Sequence, residues 1–364
     1  MVTLFLMGLV CLVLTHCASR DKFPHGLEIC FAIAAFFAAI HYNYGTDYLS
    51  YHEIFDDLGK REFDWYYISR KRYFTDIGWL VLCYVFKPLG FFSLVAFVGV
   101  VQNIIYYFFV REFVPKTWWV MAVFIYLFSE NLYILNMSMM RQGFAASLFV
   151  LAFFFIQKVD IKKNLIAVGL VYIAYTIHGA AIFLFPCLLL VFLKKEWAPY
   201  VTIPILLLLV ILFLNPDVVN NFLLSVENLE EIEEYRKYYE RGEARGFSIG
   251  IVWRLIPFFV SGYCCIVNKN LTQNELRMII LSMLGFVMIP FSLAIPMIGR
   301  MFYFFMPFMM ASIPITYRFL PTKWMISLLG LEILYILYGY WGFFHSPTWM
   351  DSYYVFHSVF SVIL

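Results

Sequence analysis

An all-α bundle of about a dozen membrane-crossing helices, with two long loops on one side, is the fold this sequence predicts. Three observations predict it. Of 364 residues, 63% are hydrophobic and 14% charged, whereas a soluble domain runs roughly 45–50% apolar and 25% charged, so one aqueous core cannot hold the apolar surface. The apolar residues gather in runs close to the about 20 residues that cross a hydrocarbon core of about 30 Å. The basic residues keep to alternate connections between those runs.

The runs lie near 2–18, 25–41, 90–110, 118–135, 139–157, 163–177, 179–193, 200–214, 250–268, 276–295, 299–317 and 324–343. The first has no basic leader, and Leu14, Thr15 and His16 before Cys17 make no small-residue cleavage site, so it is expected to be retained. The stretch 77–88 is apolar but too short to cross beside 90–110, and reads as an interfacial or re-entrant segment. No internal repeat, low-complexity linker or separate soluble domain interrupts the pattern. Residues 1–364 read as a single transmembrane domain.

With the N-terminus outside, the cytoplasmic connections hold thirteen basic residues, from Arg20 and Lys22 to Arg318 and Lys323, against five acidic ones, a net of +8. The short outward connections hold almost none, which sets the orientation. Two long polar segments, 42–76 and 215–249, then lie outside as extracytoplasmic loops. The first is rich in acidic and aromatic residues, among them Asp47, Tyr48, Tyr51, Glu53, Trp65, Tyr66 and Tyr67. In the second, residues 227–241 pair Glu233 with Lys237 and Arg236 with Glu240 at i,i+4 spacing, the pattern of a solvated helix or of a lid.

The near-neutral formal charge of +2 gives no reason to expect nucleic acid. Seven cysteines lie in apolar runs without C-x-x-C or metal-ligand spacing and read as inert thiols. There is no D-x-D, Walker loop, G-x-G-x-x-G or H-E-x-x-H. No cofactor and no metal are therefore expected, and an activated substrate would have to arrive in the membrane.

Ionisable groups in or beside membrane spans cost on the order of 2.5–3.5 kcal/mol at the bilayer centre, so those retained need a reason. Arg141 and Gln142 open one span, His178 ends another, Arg254 sits one turn inside a third, and Arg300 opens a fourth, all on the outward side. Arginine grips a pyrophosphate or carboxylate bidentately, and histidine titrates near neutrality. Asp47 and Asp76 are the candidate bases of the first loop. Each has a structural alternative: snorkelling for Arg141 and Arg300, an anchor beside Trp253 for Arg254, a helix terminus for His178, an N-cap for either aspartate.

Taken in order, G-x-D-x-x-x-Y at Gly45, Asp47 and Tyr51, acidic-x-G at Asp76 and Gly78, R-Q-x-x-A at Arg141, Gln142 and Ala145, lone His178, and R-x-x-Y-F at Arg300, Tyr303 and Phe304 resemble the EpsG/Wzy-type polysaccharide polymerases. The likeness runs over residues 41–305. It implies a glycosyltransferase of the bacterial cytoplasmic membrane that joins undecaprenyl-pyrophosphate-linked oligosaccharide units on the outer face, building O-antigen, capsule or exopolysaccharide. A chain-length regulator and a flippase would be its candidate protein partners. Two departures stand out: Asp76 replaces a commoner Glu, shortening the reach of a base, and Gly179-Ala180 replace a small hydroxyl residue after His178.

The resemblance implies that Arg141, Arg300 and Arg254, with Gln142, hold the donor pyrophosphate without a metal, while Asp47, Asp76 or His178 activates the acceptor hydroxyl. Tyr51 and Tyr303 would offer flat faces to sugars. A ligase using the same donor, a flippase or other transporter, and a membrane acyltransferase are the alternatives. Product ladders, internal repeats and an acyl-donor requirement would respectively separate them.

Overall fold

The computed structural model describes residues 1–59, 76–156, 159–215, 249–268, 270–294 and 299–363. The expected helix over 227–241 and the aromatics Trp65, Tyr66 and Tyr67 lie outside the described residues. Among the described residues there is no strand, and one isolated backbone bridge joins His41 to Ser358. The chain forms two compact units, Met1–Phe192 with Thr322–Leu364, and Leu193–Pro321.

In the first unit the helices are α1 (Val2–Ser19), α2 (Gly26–Ile40), α3 (Tyr48–Gly59), α4 (Ile77–Phe86), α5 (Phe91–Phe113), α6 (Trp119–Phe128), α7 (Leu135–Ser138), α8 (Met140–Phe153), α9 (Ile161–Ile177), α14 (Thr322–His345), α15 (Met350–Tyr353) and α16 (Phe360–Ile363). The second holds α10 (Ala198–Leu214), α11 (Ile249–Val267), α12 (Gln273–Ala294) and α13 (Gly299–Tyr317).

Lipid offers little hydrophobic drive between helices, so small residues and hydrogen bonds must draw them together. Both devices occur in the first unit. A Cβ on Gly99 of α5 would sit 2.8 Å from the Ala38 carbonyl oxygen of α2, so this crossing has no room for a larger residue. The Tyr126 hydroxyl of α6 donates to Asn103 of α5 at 3.0 Å, and the Tyr133 hydroxyl donates to the Ala34 carbonyl of α2 at 2.7 Å. In the second unit the Ser312 hydroxyl donates to Ser282 at 2.9 Å, clamping α13 to α12. Pro204, Pro257, Pro290, Pro307 and Pro314 lie inside its helices, which neighbouring helices tolerate better in a membrane than in water.

Each predicted apolar run carries helix, but two are not continuous α-helix. The run 118–135 breaks at extended Ser129 (φ −72°, ψ 124°) and resumes as a π-turn over Glu130–Ile134, bending by 52°. The run 179–193 forms 3₁₀ stretches Gly179–Leu184 and Pro186–Phe192; Pro186 has no N–H and its ring clashes with an α-helical turn before it. Among the described residues four helices, Val2–Ser19, Phe91–Phe113, Lys195–Leu214 and Thr322–His345, are long and apolar enough to cross a membrane, or five with the bent pair. The protein is thus multi-pass by its helices. The shorter apolar helices run 10–17 residues.

Candidate active site

Four local features of the first unit bring the site together. The first is the turn before α3. Gly45 has φ +97°, which favours glycine, and a Cβ there would collide with Ser138. Its N–H donates to the Ser352 carbonyl at 2.9 Å. This tight seat starts α3 so that Tyr51 is buried, with its ring facing Trp79 at 5.4 Å between centroids. Asp47, half-buried, accepts a hydrogen bond from the Thr46 hydroxyl at 3.2 Å.

The second feature is Asp76, at the N-cap position of α4. A cap aspartate would normally accept from its own helix's first N–H groups. This one makes no such bond. Its carboxylate instead accepts from Arg141 Nη1 at 2.6 Å, and the backbone N–H of Gly179 is also directed at it. Gly78 makes that reach possible: α4 lies so close to the end of α9 that a Cβ on Gly78 would strike Thr176.

The third is Arg141 itself. Met139 (φ −86°, ψ 56°) ends α7, and α8 restarts at Met140, so Arg141 projects from a first turn directed by the break. Its guanidinium lies 5.1 Å from the centre of the Tyr51 ring, within cation–π range. Its Nε is buried and has no acceptor among the described residues. The Arg141 and Asp76 side chains are 23% and 20% exposed. Gln142 departs from this cluster's exposure, being 2% exposed.

The fourth is the turn after α9. His178 is extended (φ −147°, ψ 112°), and its Nδ1 accepts from the Ala180 N–H at 3.3 Å, capping the 3₁₀ stretch. With that lone pair engaged, neutral His178 carries its proton on Nε2 and faces its surroundings as a donor.

Burial raises the Asp76 pKa above the usual carboxylate value, and the opposing pull of Arg141 and the Gly179 N–H does not cancel it. An ion pair in water would do the reverse. Asp47 also bears on the Arg141 charge. Asp47, Tyr51, Asp76, Arg141 and the His178–Gly179 turn therefore form one cluster. Arg254, Arg300 and Tyr303 belong to the second unit; the side chains of Arg254 and Arg300 lie outside the described residues, and Tyr303 is half-buried beside Phe302.

Sequence reasoning passed over three contributors. Trp79 backs Tyr51. Cys83, one turn on, is buried close enough to feel the Arg141 charge. Tyr353 of α15 is buried against Thr46 and Ser138. The first two share the face of α4 that begins at Asp76, a spacing that was available; nothing in the run of residues near Tyr353 connects it to a loop some 300 positions earlier.

A half-buried guanidinium with an idle donor among the described residues, paired to a carboxylate near the His178–Gly179 turn, makes a candidate anion-binding site on an all-helical membrane protein. The chain belongs to the EpsG family, whose model matches residues 27–358. That membership makes it a multi-pass membrane protein of polysaccharide biosynthesis, with a polysaccharide polymerase as the activity the family points to. No curated protein and no solved structure matches it.

Proposed function

We propose that this protein extends a polysaccharide by glycosyl transfer between undecaprenyl-pyrophosphate-linked oligosaccharides at the outer face of a bacterial cytoplasmic membrane. The observation that carries the reading is Arg141: a guanidinium mostly withdrawn from water, seated on Tyr51, with a buried Nε–H that has no acceptor among the described residues. A pyrophosphate supplies what that group lacks, and Arg is suited to grip it. In the transfer, the acceptor hydroxyl loses its proton to a base and attacks the anomeric carbon. The bond from that carbon to the pyrophosphate oxygen breaks, and the charge gained by the leaving group falls on arginine, which is why no metal is required.

Gln142 belongs to the anion grip in this reading, and Arg254, Arg300 and Tyr303 of the second unit are further proposed substrate-binding residues. The bundle crosses the membrane about twelve times, with 42–76 and 215–249 outside; a flippase would deliver the substrate and a chain-length regulator would act on the product. The basic residues of the alternate connections support this orientation. The test is turnover of purified protein in bilayers with lipid-linked repeat units. A ladder of repeats supports polymerisation, a single transfer indicates a ligase, and wild-type rates from Arg141→Ala would refute the proposed grip.

A further inference from the structure

The Asp76–Arg141 pair joins the two groups that the reaction would need apart. Resting on the polymerase reading above, we propose that Arg141 exchanges Asp76 for the donor's pyrophosphate, and that Asp76, released by the exchange, is the base that takes the acceptor's hydroxyl proton.

Geometry separates Asp76 from the other candidate bases. The lone pair of His178 Nδ1 is engaged by Ala180, which leaves the imidazole as a donor. Asp47 is joined to the Thr46 hydroxyl and touches Arg141 only through its charge. Asp76 is in direct contact with the guanidinium, at 2.6 Å. It is also free of any cap bond to its own helix, so leaving Arg141 does not unravel α4. The Gly179 N–H, directed at the carboxylate, keeps it in place once the arginine has gone.

Charge forces the exchange. One guanidinium carries one positive charge, while a pyrophosphate diester carries two negative ones. With the pair only about a fifth exposed, a second anion at Arg141 would face Asp76 across a few ångströms with little water between them. Like charges so placed cannot both remain ionised and close. The donor therefore displaces the carboxylate, which has lost its cation and faces a new anion, so it binds a proton more readily; while still ionised, it takes that proton from the acceptor hydroxyl.

The step balances. The acceptor O–H proton passes to an Asp76 oxygen as the acceptor oxygen bonds to the anomeric carbon. The electron pair of the breaking carbon–oxygen bond leaves with the pyrophosphate, now held by Arg141. When the pyrophosphate carrier departs, Asp76 gives its proton to solvent and pairs with Arg141 again. The base is thus masked until donor is bound.

The test uses the full chain in lipid nanodiscs and a soluble dialkyl pyrophosphate, whose two charges do not titrate near neutrality, with calorimetry in buffers of different ionisation heat. Arg141 is the titratable side chain in contact with Asp76, Asp47 and Cys83 interact with the Arg141 charge, and His178 opens the Gly179 turn, so His178→Asn and Asp47→Asn serve as controls. Exchange predicts that the wild type and both controls take up a fraction of a proton on binding at mildly acidic pH, where the released carboxylate holds protons more readily, and none at higher pH, where it stays ionised and can serve as the base. Asp76→Asn should bind about tenfold more tightly, since a hydrogen bond to a charged group is worth about 1.5–3 kcal/mol, take up none, and form no polymer. Asp76→Glu should restore the proton uptake.

Equal or weaker binding by Asp76→Asn, or unchanged proton uptake, would show that Asp76 only orients Arg141 and overturn the exchange. If Asp76→Asn does not fold, absence of uptake in the wild type at mildly acidic pH overturns it equally. Wild-type binding by Arg141→Ala would instead sink the polymerase reading's anion grip, and the exchange with it.

Discussion

Among the described residues, two close arginine–carboxylate pairs of nearly equal length are built differently. In the second unit Arg318 donates to Glu275 at 2.7 Å. Glu275 stands at the third position of α12, and its other oxygen accepts from the Thr272 N–H at 2.8 Å while the Thr272 hydroxyl faces the Glu275 N–H at 3.2 Å. That reciprocal arrangement is a capping box. Every part of this carboxylate serves the start of its own helix, and Arg318 fastens it to the end of α13. In the first unit Asp76 sits where a cap should be and caps nothing; its partners come from α8 and from the turn after α9. A carboxylate withheld from its own helix in favour of distant partners is available for chemistry, whereas one consumed by a cap is a clip.

The largest effects should come from breaking the first pair. Arg141→Ala is expected to lower polymer formation by about 10²–10³-fold, the cost of losing one preorganised donor to developing charge, measured as turnover in bilayers. Asp76→Asn should cost about 10²–10⁴-fold, as expected on removing a general base, with the folded fraction intact.

Breaking the second pair should invert this pattern. Arg318→Ala or Thr272→Ala is expected to destabilise by about 1 kcal/mol, the scale of a cap or of a partly exposed pair, seen as a lower midpoint of thermal unfolding, with activity per folded molecule unchanged. A smaller effect belongs to Tyr51→Leu, which removes the ring beneath Arg141; a cation–π contact of about 0.5–1 kcal/mol predicts a loss of roughly two- to fivefold in kcat/KM. Tyr51→Phe, which keeps the ring but loses the hydrogen bond to Arg141, should recover part of it.

The pH dependence sharpens the same contrast. Because burial raises the Asp76 pKa, the acid limb of activity should lie above the ordinary carboxylate range, which is near 3.9 for aspartate, and vanish in Asp76→Asn. The linked stability has a definite sign. A carboxyl whose folded pKa is raised contributes stability below its unfolded value and loses that contribution as pH climbs through the folded one. Lowering the pH through that window should therefore strengthen the first unit locally while reducing turnover, and hydrogen exchange at α4 and α9 would detect the former.

Much of this was legible from residues. Apolar runs located the helices because a chain in lipid must satisfy its backbone within each segment, and the cost of charge near the bilayer singled out Arg141 and His178. Asp76 was legible as a candidate, but its partner was not: 65 residues separate it from Arg141, and only the close approach of α4 to α9 at Gly78 brings the two within reach. Tyr51 reads in sequence as a flat surface for sugar; its placement beneath Arg141 follows from a turn at Gly45 whose tightness depends on Ser138. The broken run at Ser129 and the 3₁₀ stretch were not legible, since hydropathy measures which residues prefer lipid and is blind to how the backbone winds.

The Gly179 amide has a consequence for how such a site would be mapped genetically. An alanine scan deletes side chains, and the group directed at Asp76 is main chain, so Gly179→Ala would leave the donor in place. A saturating screen would therefore return Asp76 and Arg141 as essential and pass over what keeps the carboxylate aimed. Only a proline at 179, or an ester replacing that peptide bond, removes the N–H, and the information for positioning this base is stored in a place that ordinary missense variation scarcely touches.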